Sequence, residues 1–312
     1  MTARIGNDLD VFELCLGTNV FGWTLDEAGA FAVLDAYAQA GGNFIDTADS
    51  YSAFAPGNSG GESETIIGRW MAARGNRDEL VIATKVGSLA GVKGLSAATI
   101  HRAAEGSLDR LQTDRIDLYY AHRDDPAVPQ EETLGAFDEL VRAGKVRNIA
   151  ASNFSAERLE SALAISARDG LAAYVALQPP YNLLQRDDYE GDLRAVCERH
   201  GIACVPYFGL ARGFLSGKYR PDGPEIASPR AAGVREAYAN DRGWAVLAEL
   251  DRVAAAHGVP VAAVALAWLR AQPTVAAPIA SATSADQLAE QIPSATLTLS
   301  DDELSALTAA SA

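Results

Sequence analysis

The sequence predicts an α/β chain whose eight parallel strands close into a (β/α)8 barrel, with an N-terminal β-hairpin before it and a long loop after the seventh strand. Three observations predict this. Strand-like and helix-like segments alternate strictly along the 312 residues, which implies parallel strands joined by right-handed crossovers. Eight strands are counted from Leu14 onward, and the length is somewhat above the roughly 250 residues of a plain barrel. Finally, Asp46, Lys85, His122, Ser152 with Asn153, Gln178 and Tyr207 stand at the carboxyl ends of successive strands. An open sheet would string these residues out in a line, whereas a TIM barrel gathers them at the mouth where barrel enzymes hold their chemistry. Residues 1–312 are read as a single domain.

Residues 3 to 17 begin with a hairpin turned at Gly6, Asn7 and Asp8 and run into the first barrel strand, ELCLG. Thr24 and Glu27 have the spacing of a capping box, and Phe31, Leu34 and Ala38 follow at helical spacing until Gly41 stops the helix. A short apolar strand (Asn43, Phe44, Ile45) then sets down Asp46, with Tyr51 five residues later in a loop. Ser63 to Arg74 reads as a helix carrying Ile66, Ile67, Trp70 and Met71, and strand LVIAT after it closes with Lys85. A glycine-dotted loop, residues 87 to 94, precedes a helix capped by Ser96 with Ile100, Ala104, Leu108 and Leu111 on one face. Strand RIDLYYA closes with His122.

Pro129 opens the next helix and Gly144 ends it. The alternation continues with KVRNIAAS, a helix from Ser155, YVALQ, a helix from about Tyr189 to His200, and IACVPY. Residues 208 to 240 form the long loop, rich in Gly and Pro and weak in periodicity. Loops of this size are usually functional covers or mobile segments, and this one lies near the usual phosphate site of barrels. Two helices divided at Gly258, Val259 and Pro260, strand TVAAPIA, a helix from about Ser284, and a last segment with Ser300 and Glu303 in a capping box complete the chain.

Composition narrows the function. A hydrophobic fraction of 48% and a charged fraction of 21% are those of a soluble globular protein. The net charge of −15 argues against nucleic acid and against an acidic membrane surface as partners, since either needs a basic face. It also makes Arg212 and Lys218 conspicuous, because an anionic cofactor would need local positive charge. Cys15, Cys197 and Cys204 form no CxxC pair and read as buried thiols in a reducing compartment. The first apolar run is broken by Asp8, Asp10 and Glu13, so no signal peptide is read, no apolar run reaches membrane-spanning length, and a cytoplasmic location is expected.

Asp46, Lys85 and His122 at three strand ends, with the Tyr51 phenol beside them, are the equipment of a proton-transfer site. An ionised carboxylate at the end of a buried strand needs a partner, and Lys85 is the obvious one. No glycine is followed by another two positions on, which removes the GxGxxG of a Rossmann site; the P-loop, HExxH and GxSxG patterns are absent too. His101, His200 and His257 are scattered over helices and read as surface or satisfied residues, and no metal site is expected.

FIDTADSY, ATKVG, DLYYAH, GKVRNIAASNFS, LQPPYN and GFLSGKY occur in order, between LGTNVFGW near the start and SATSADQL near the end. In these motifs the chain resembles the aldo-keto reductases. The resemblance implies NADPH- or NADH-dependent reduction of a small-molecule aldehyde or ketone, with a catalytic tetrad of Tyr51, Lys85, Asp46 and His122. Tyr51 would be the general acid, its pKa lowered by the Lys85 ammonium, which Asp46 holds in place; His122 would position the substrate oxygen.

For the cofactor, the resemblance implies Gly17 and Thr18 at the first strand, Ser152, Asn153 and Gln178 at the carboxamide, and Tyr207 stacked on the nicotinamide ring. It implies the backbone of Phe208, Gly209, Leu210, Arg212 and Gly213 with Lys218 at the pyrophosphate, and Ser281, Thr283, Gln287 and Gln291 at the adenosine end. Members that prefer NADPH often carry a basic residue at the position of Thr283 and Asn at that of Gln291, so both cofactors stay open; Arg212 is the candidate for a missing 2′-phosphate contact. Asn19, Phe21 and Trp23 are candidates for the substrate pocket, with packing equally expected for Phe21 and Trp23. The family also contains reducers of nucleotide-linked keto sugars, and potassium-channel β subunits that bind cofactor while acting as partners. A barrel that buries its own core is compatible with a monomer.

Overall fold

The computed structural model of the chain describes residues 2–226, 228 and 231–312. Strands β1 (Thr2–Ile5) and β2 (Leu9–Phe12) form the expected antiparallel hairpin. Strands β3 (Cys15–Gly17), β4 (Phe44–Asp46), β5 (Val81–Val86), β6 (Ile116–Ala121), β7 (Val146–Ser152), β8 (Tyr174–Gln178), β9 (Ala203–Cys204) and β10 (Ile279–Ala280) form one parallel sheet in the order β10-β3-β4-β5-β6-β7-β8-β9. Its two ends meet. The Cys204 N–H donates to Thr274 O at 2.8 Å, Ala276 N–H to Cys204 O at 2.9 Å, and Ile279 N–H to Pro206 O at 2.8 Å. The sheet therefore closes as a barrel and leaves no edge strand to aggregate.

Helices α1 (Glu27–Gln39), α2 (Glu62–Arg74), α3 (Ala97–Leu111), α4 (Gln130–Arg142), α5 (Ala156–Asp169) and α6 (Asp192–His200) connect the strands on the outside. After β9 come α7 (Ala231–Tyr238), α8 (Asp241–His257) and α9 (Val261–Arg270); α10 (Ala285–Gln291) and α11 (Asp301–Ala310) close the chain. No single helix among the described residues is long and apolar enough to cross a membrane.

The period-two alternation of a strand decides which residues reach the mouth. Phe44, Val81, Ala83, Leu118, Tyr120, Ala150 and Ala176 fill the barrel interior, with Ile5, Leu9 and Val11 of the hairpin in the same cluster. Ile45, Ile82, Tyr119, Ile149 and Leu177 point outward into the second cluster, against the helices. Two positions beyond the interior residues come Asp46, Lys85, His122, Ser152 and Gln178, so the same alternation that packs the core brings these polar groups inward at one end.

Some elements differ from expectation. Asp26, not Thr24, caps α1, its carboxylate accepting from Gly29 N–H at 2.9 Å; Thr24 sits in a turn in which Val20 O accepts its N–H, and Glu27 pairs instead with Arg69 at 2.7 Å. Helix α6 starts at Asp192 because Gly191, at φ 109°, interrupts the backbone after Tyr189. The seventh and eighth strands are only two residues long, since Pro206 and Pro278 beside them cannot donate to a ladder. The long loop holds a 3-10 segment, Ala211–Ser216, as well as α7; Ala227, Pro229 and Arg230 within it lie outside the described residues. The Ser300–Glu303 capping box is formed.

Candidate active site

After β4 the chain stays beside β5: Thr47 N–H donates to Ala83 O at 2.8 Å and Asp49 N–H to Lys85 O at 3.4 Å. A turn at Ala48–Tyr51 then brings the phenol back over Lys85. The Lys85 ammonium lies 2.7 Å from each Asp46 oxygen, 2.7 Å from Thr47 O and 2.8 Å from the Tyr51 hydroxyl. Tyr51 O–H donates to Asp46 Oδ2 at 3.0 Å, and Gln178 Nε2 donates to Asp46 Oδ1 at 2.9 Å. Lys85 is wholly buried and does not itself line the cavity; it works from behind the phenol. Burial of the ion pair is tolerable because every charged atom has a partner.

The electrostatics reverse one expectation. Burial, and then the charge and hydrogen bond of Asp46, push the Tyr51 phenol well up, against the lowering expected from the ammonium beside it. Burial also lowers the Lys85 ammonium against the pull of Asp46. His122 is pushed down to about 3 by burial, with Lys85 and Arg123 adding to it, so its imidazole is neutral at physiological pH. Its Nδ1 lies 3.5 Å from Ser50 Oγ.

Next to this group, Ser152 Oγ donates to Gln178 O at 2.9 Å, and Asn153 Nδ2 donates to His122 O at 2.9 Å. Tyr207 O–H donates to Asn153 Oδ1 at 2.8 Å, which fixes the ring across the barrel mouth. All of these open on one cavity of about 1260 Å³ that runs on past Phe208–Gly213 and Lys218 to α10. That volume exceeds the usual drug-sized pocket and is elongated enough to line two classes of group at its two ends.

The cavity gathers most of the residues singled out from sequence. Tyr51, Asp46 and His122 line it, as do Gly17, Ser152, Asn153, Gln178 and Tyr207. Phe208, Gly209, Leu210, Arg212, Gly213 and Lys218 continue it, and Ser281, Thr283, Gln287 and Gln291 end it. Asn19 and Trp23 line the near wall. Besides Lys85, two candidates do not reach it. Thr18 is fully buried and its hydroxyl donates to Asp46 O at 2.8 Å, so it ties β3 to β4. Phe21 is fully buried in the outer core, its carbonyl accepting from Ser52 Oγ at 2.6 Å.

Asp124 and Asp125, which follow His122 and Arg123, are both engaged: Arg158 Nε donates to Asp124 at 2.7 Å, and Leu95 N–H to Asp125 at 3.0 Å. His101, His200 and His257 pair with Glu139, Glu160 and Glu303 on the surface, as expected. The three cysteines are free and buried.

The model of the Aldo/keto reductase family matches residues 13–312. The chain belongs to this family. It is 34% identical to Protein tas of Escherichia coli, over 97% of this chain and 95% of that protein. It is 35% identical to the uncharacterized oxidoreductase YrpG of Bacillus subtilis, over 95% of this chain and 91% of that protein. Norsolorinic acid reductase stcV of Emericella nidulans is 34% identical, over 94% of this chain and 76% of that protein. An aldo/keto reductase is an oxidoreductase, which gives the tetrad geometry its chemical context.

Within this aldo/keto reductase, the sequence reading missed Phe54, Ser88, Arg123 and Glu290, all of which line the cavity. Arg123 directly follows His122, and Phe54 is an aromatic residue in a loop otherwise of small and polar residues, which are the signals available. A buried carboxylate behind the site was also missed. Asp49 is fully buried and neither of its oxygens has a hydrogen-bond partner. Its neighbour Glu64 already accepts from Thr84 Oγ1 at 2.5 Å and from Arg110 Nε at 2.7 Å. Burial, with Glu64 adding to it, raises the Asp49 carboxyl to about 7.

Proposed function

We propose that this chain reduces the carbonyl of an aldehyde or ketone with NADPH or NADH, Tyr51 supplying the proton. The observation that supports this above all is the Tyr51 hydroxyl held 2.8 Å from the Lys85 ammonium at the wall of the cavity. Relatives named as reductases and oxidoreductases support the same reading.

The residues present fit a dinucleotide. Phe208, Ala211, Arg212 and Gly213 all take positive φ, from 47° to 99°, and such bends turn successive N–H groups to one side as an anion-binding nest. Arg212 and Lys218 bring positive charge to the same stretch of wall. At the far end Gln291 is almost wholly buried, its Nε2 donates to Ser281 O at 3.1 Å, and its Oε1 is left without a partner beside the cavity. Asn153 and Gln178 would hold the carboxamide, Tyr207 the nicotinamide ring, the 208–213 loop the phosphates, and Gln287 with Gln291 the adenosine. When bound, the reduced cofactor supplies hydride.

The chain's own groups manage the proton. As the carbonyl oxygen gains negative charge it becomes a much stronger base than a phenolate, so Tyr51 can protonate it even with a raised pKa. The raised pKa keeps the phenol fully loaded across the physiological range. Lys85 then stabilises the phenolate left behind, and Asp46, gripped by Gln178 as well, keeps the ammonium charged and aimed. His122 is neutral and offers a hydrogen bond without adding charge. A positioned acid of this kind is worth about 10² to 10⁴ in rate.

Titration of the purified protein with NADPH and NADH, read by quenching of tryptophan fluorescence, followed by turnover of an aldehyde panel, tests the reading. Binding of at least one cofactor with carbonyl-dependent oxidation is expected. Binding of neither would refute it.

A further inference from the structure

The proton-transfer reading leaves part of the cavity unused. On its near wall Trp23 and Phe54 meet edge to face, with ring centroids 4.8 Å apart and planes at 82°. Phe54 is 63% exposed and is the only large apolar side chain so exposed among the described residues. An aromatic ring left in solvent beside an active-site cavity is a surface for another flat apolar group.

Arg123 stands on the same mouth, immediately after His122. It is exposed, and its charge reaches into the site, contributing to the lowering of His122 and opposing the rise of Tyr207. Among the described residues no carboxylate lies within ion-pair distance of it, although the chain carries a net charge of −15. Its sequence neighbour Asp124 is taken by Arg158. The carboxylates that line the cavity do not neutralise it either: Asp46 is matched by Lys85, and Glu290 belongs to the α10 end. A guanidinium without an ion-pair partner, on the wall of the same cavity as two aromatic rings, is suited to a carboxylate carried on a planar ligand.

We propose that Arg123, with the Trp23 and Phe54 rings, forms a subsite for the anionic end of an aromatic carbonyl compound, so that the preferred substrates bear a carboxylate on a planar ring. This rests on the carbonyl-reductase reading of the cavity. The carbonyl would face Tyr51 and His122 while the ring lies against the aromatic pair and the carboxylate meets Arg123.

Binding and turnover are measured separately. The affinities of 4-carboxybenzaldehyde and its methyl ester are taken by tryptophan quenching without reductant, for the wild type, Arg123→Gln, Arg123→Lys and Phe54→Ala. The acid is expected to bind about tenfold tighter than the ester, as one charge-assisted contact allows. That ratio should fall to about one in Arg123→Gln and be partly kept in Arg123→Lys, while Phe54→Ala weakens acid and ester alike. Equal binding of acid and ester by the wild type, or an unchanged ratio in Arg123→Gln, would overturn the subsite. A preserved binding ratio with no NADPH- or NADH-dependent turnover of either compound would instead support the subsite and refute the reductase reading.

Discussion

Replacing Asp49 with Asn should stabilise the protein, relative to wild type, more at alkaline pH than at acid pH. The folded chain holds the Asp49 proton more tightly than the unfolded chain does, with the carboxyl raised from 3.8 to about 7. Between those two values the folded state binds more protons, so stability falls as pH rises, and above about 7 the loss is complete. Each pKa unit corresponds to about 1.4 kcal/mol, so the full cost is on the order of 4 kcal/mol. Because Asp49 is fully buried, solvent does little to screen it. Asn has no proton to lose but leaves its own amide short of partners, an offset of about 1 to 3 kcal/mol that does not depend on pH. The change with pH is therefore the clean quantity: the stability of Asp49→Asn relative to wild type should rise by about 3 kcal/mol between pH 5 and pH 8. Urea unfolding at a series of pH values measures it. A difference that stays constant over that range would show that Asp49 is ionised throughout in the fold and would refute the reasoning.

Three further outcomes follow. Because Tyr51 is raised well above the usual phenol range and His122 is held near 3, kcat/KM for carbonyl reduction should be flat from about pH 6 to 9; a tenfold fall near pH 8 would mean the acid has a lowered pKa after all. Glu290 lines the cavity at the α10 end, where a 2′-phosphate would be repelled, so Glu290→Gln should raise the affinity for NADPH relative to NADH several-fold in a fluorescence titration, and an unchanged ratio would remove it from that role. Phe21→Ala should cost about 3 to 5 kcal/mol of stability in a denaturant melt and leave the order of substrate preference as it was; a changed order with little loss of stability would return Phe21 to the pocket.

The fold was legible because its signals repeat. Most barrel strands lead to a polar residue two positions beyond an interior apolar one, as in Phe44 and Asp46 or Ala83 and Lys85, and one period serves the core and the site together. The placing of Asp46, Lys85 and His122 at one end of the barrel was legible for the same reason. What failed were features set by a single contact in space. Thr24 and Glu27 have the right spacing for a cap, but the turn at Val20 to Leu25 passes the role to Asp26. Phe21 and Trp23 are two residues apart in the same loop, and nothing in their identity says which turns inward. The direction of the Tyr51 shift is set by burial and then by Asp46 touching the phenol, and Asp49 stands out only once Glu64 is seen to hold Arg110 and Thr84. Arg123 was missed because its lack of an ion-pair partner cannot be read from its neighbours in the chain.

The central claim is that Tyr51 delivers the proton, and a comparison of Tyr51→Phe with wild type tests it most directly. Phe keeps the ring and removes only the hydroxyl that meets Lys85 and Asp46. Cofactor affinity by fluorescence titration should be close to unchanged, while single-turnover reduction of an aldehyde should fall by about 10² or more. Turnover that survives the substitution with cofactor binding intact would contradict the account.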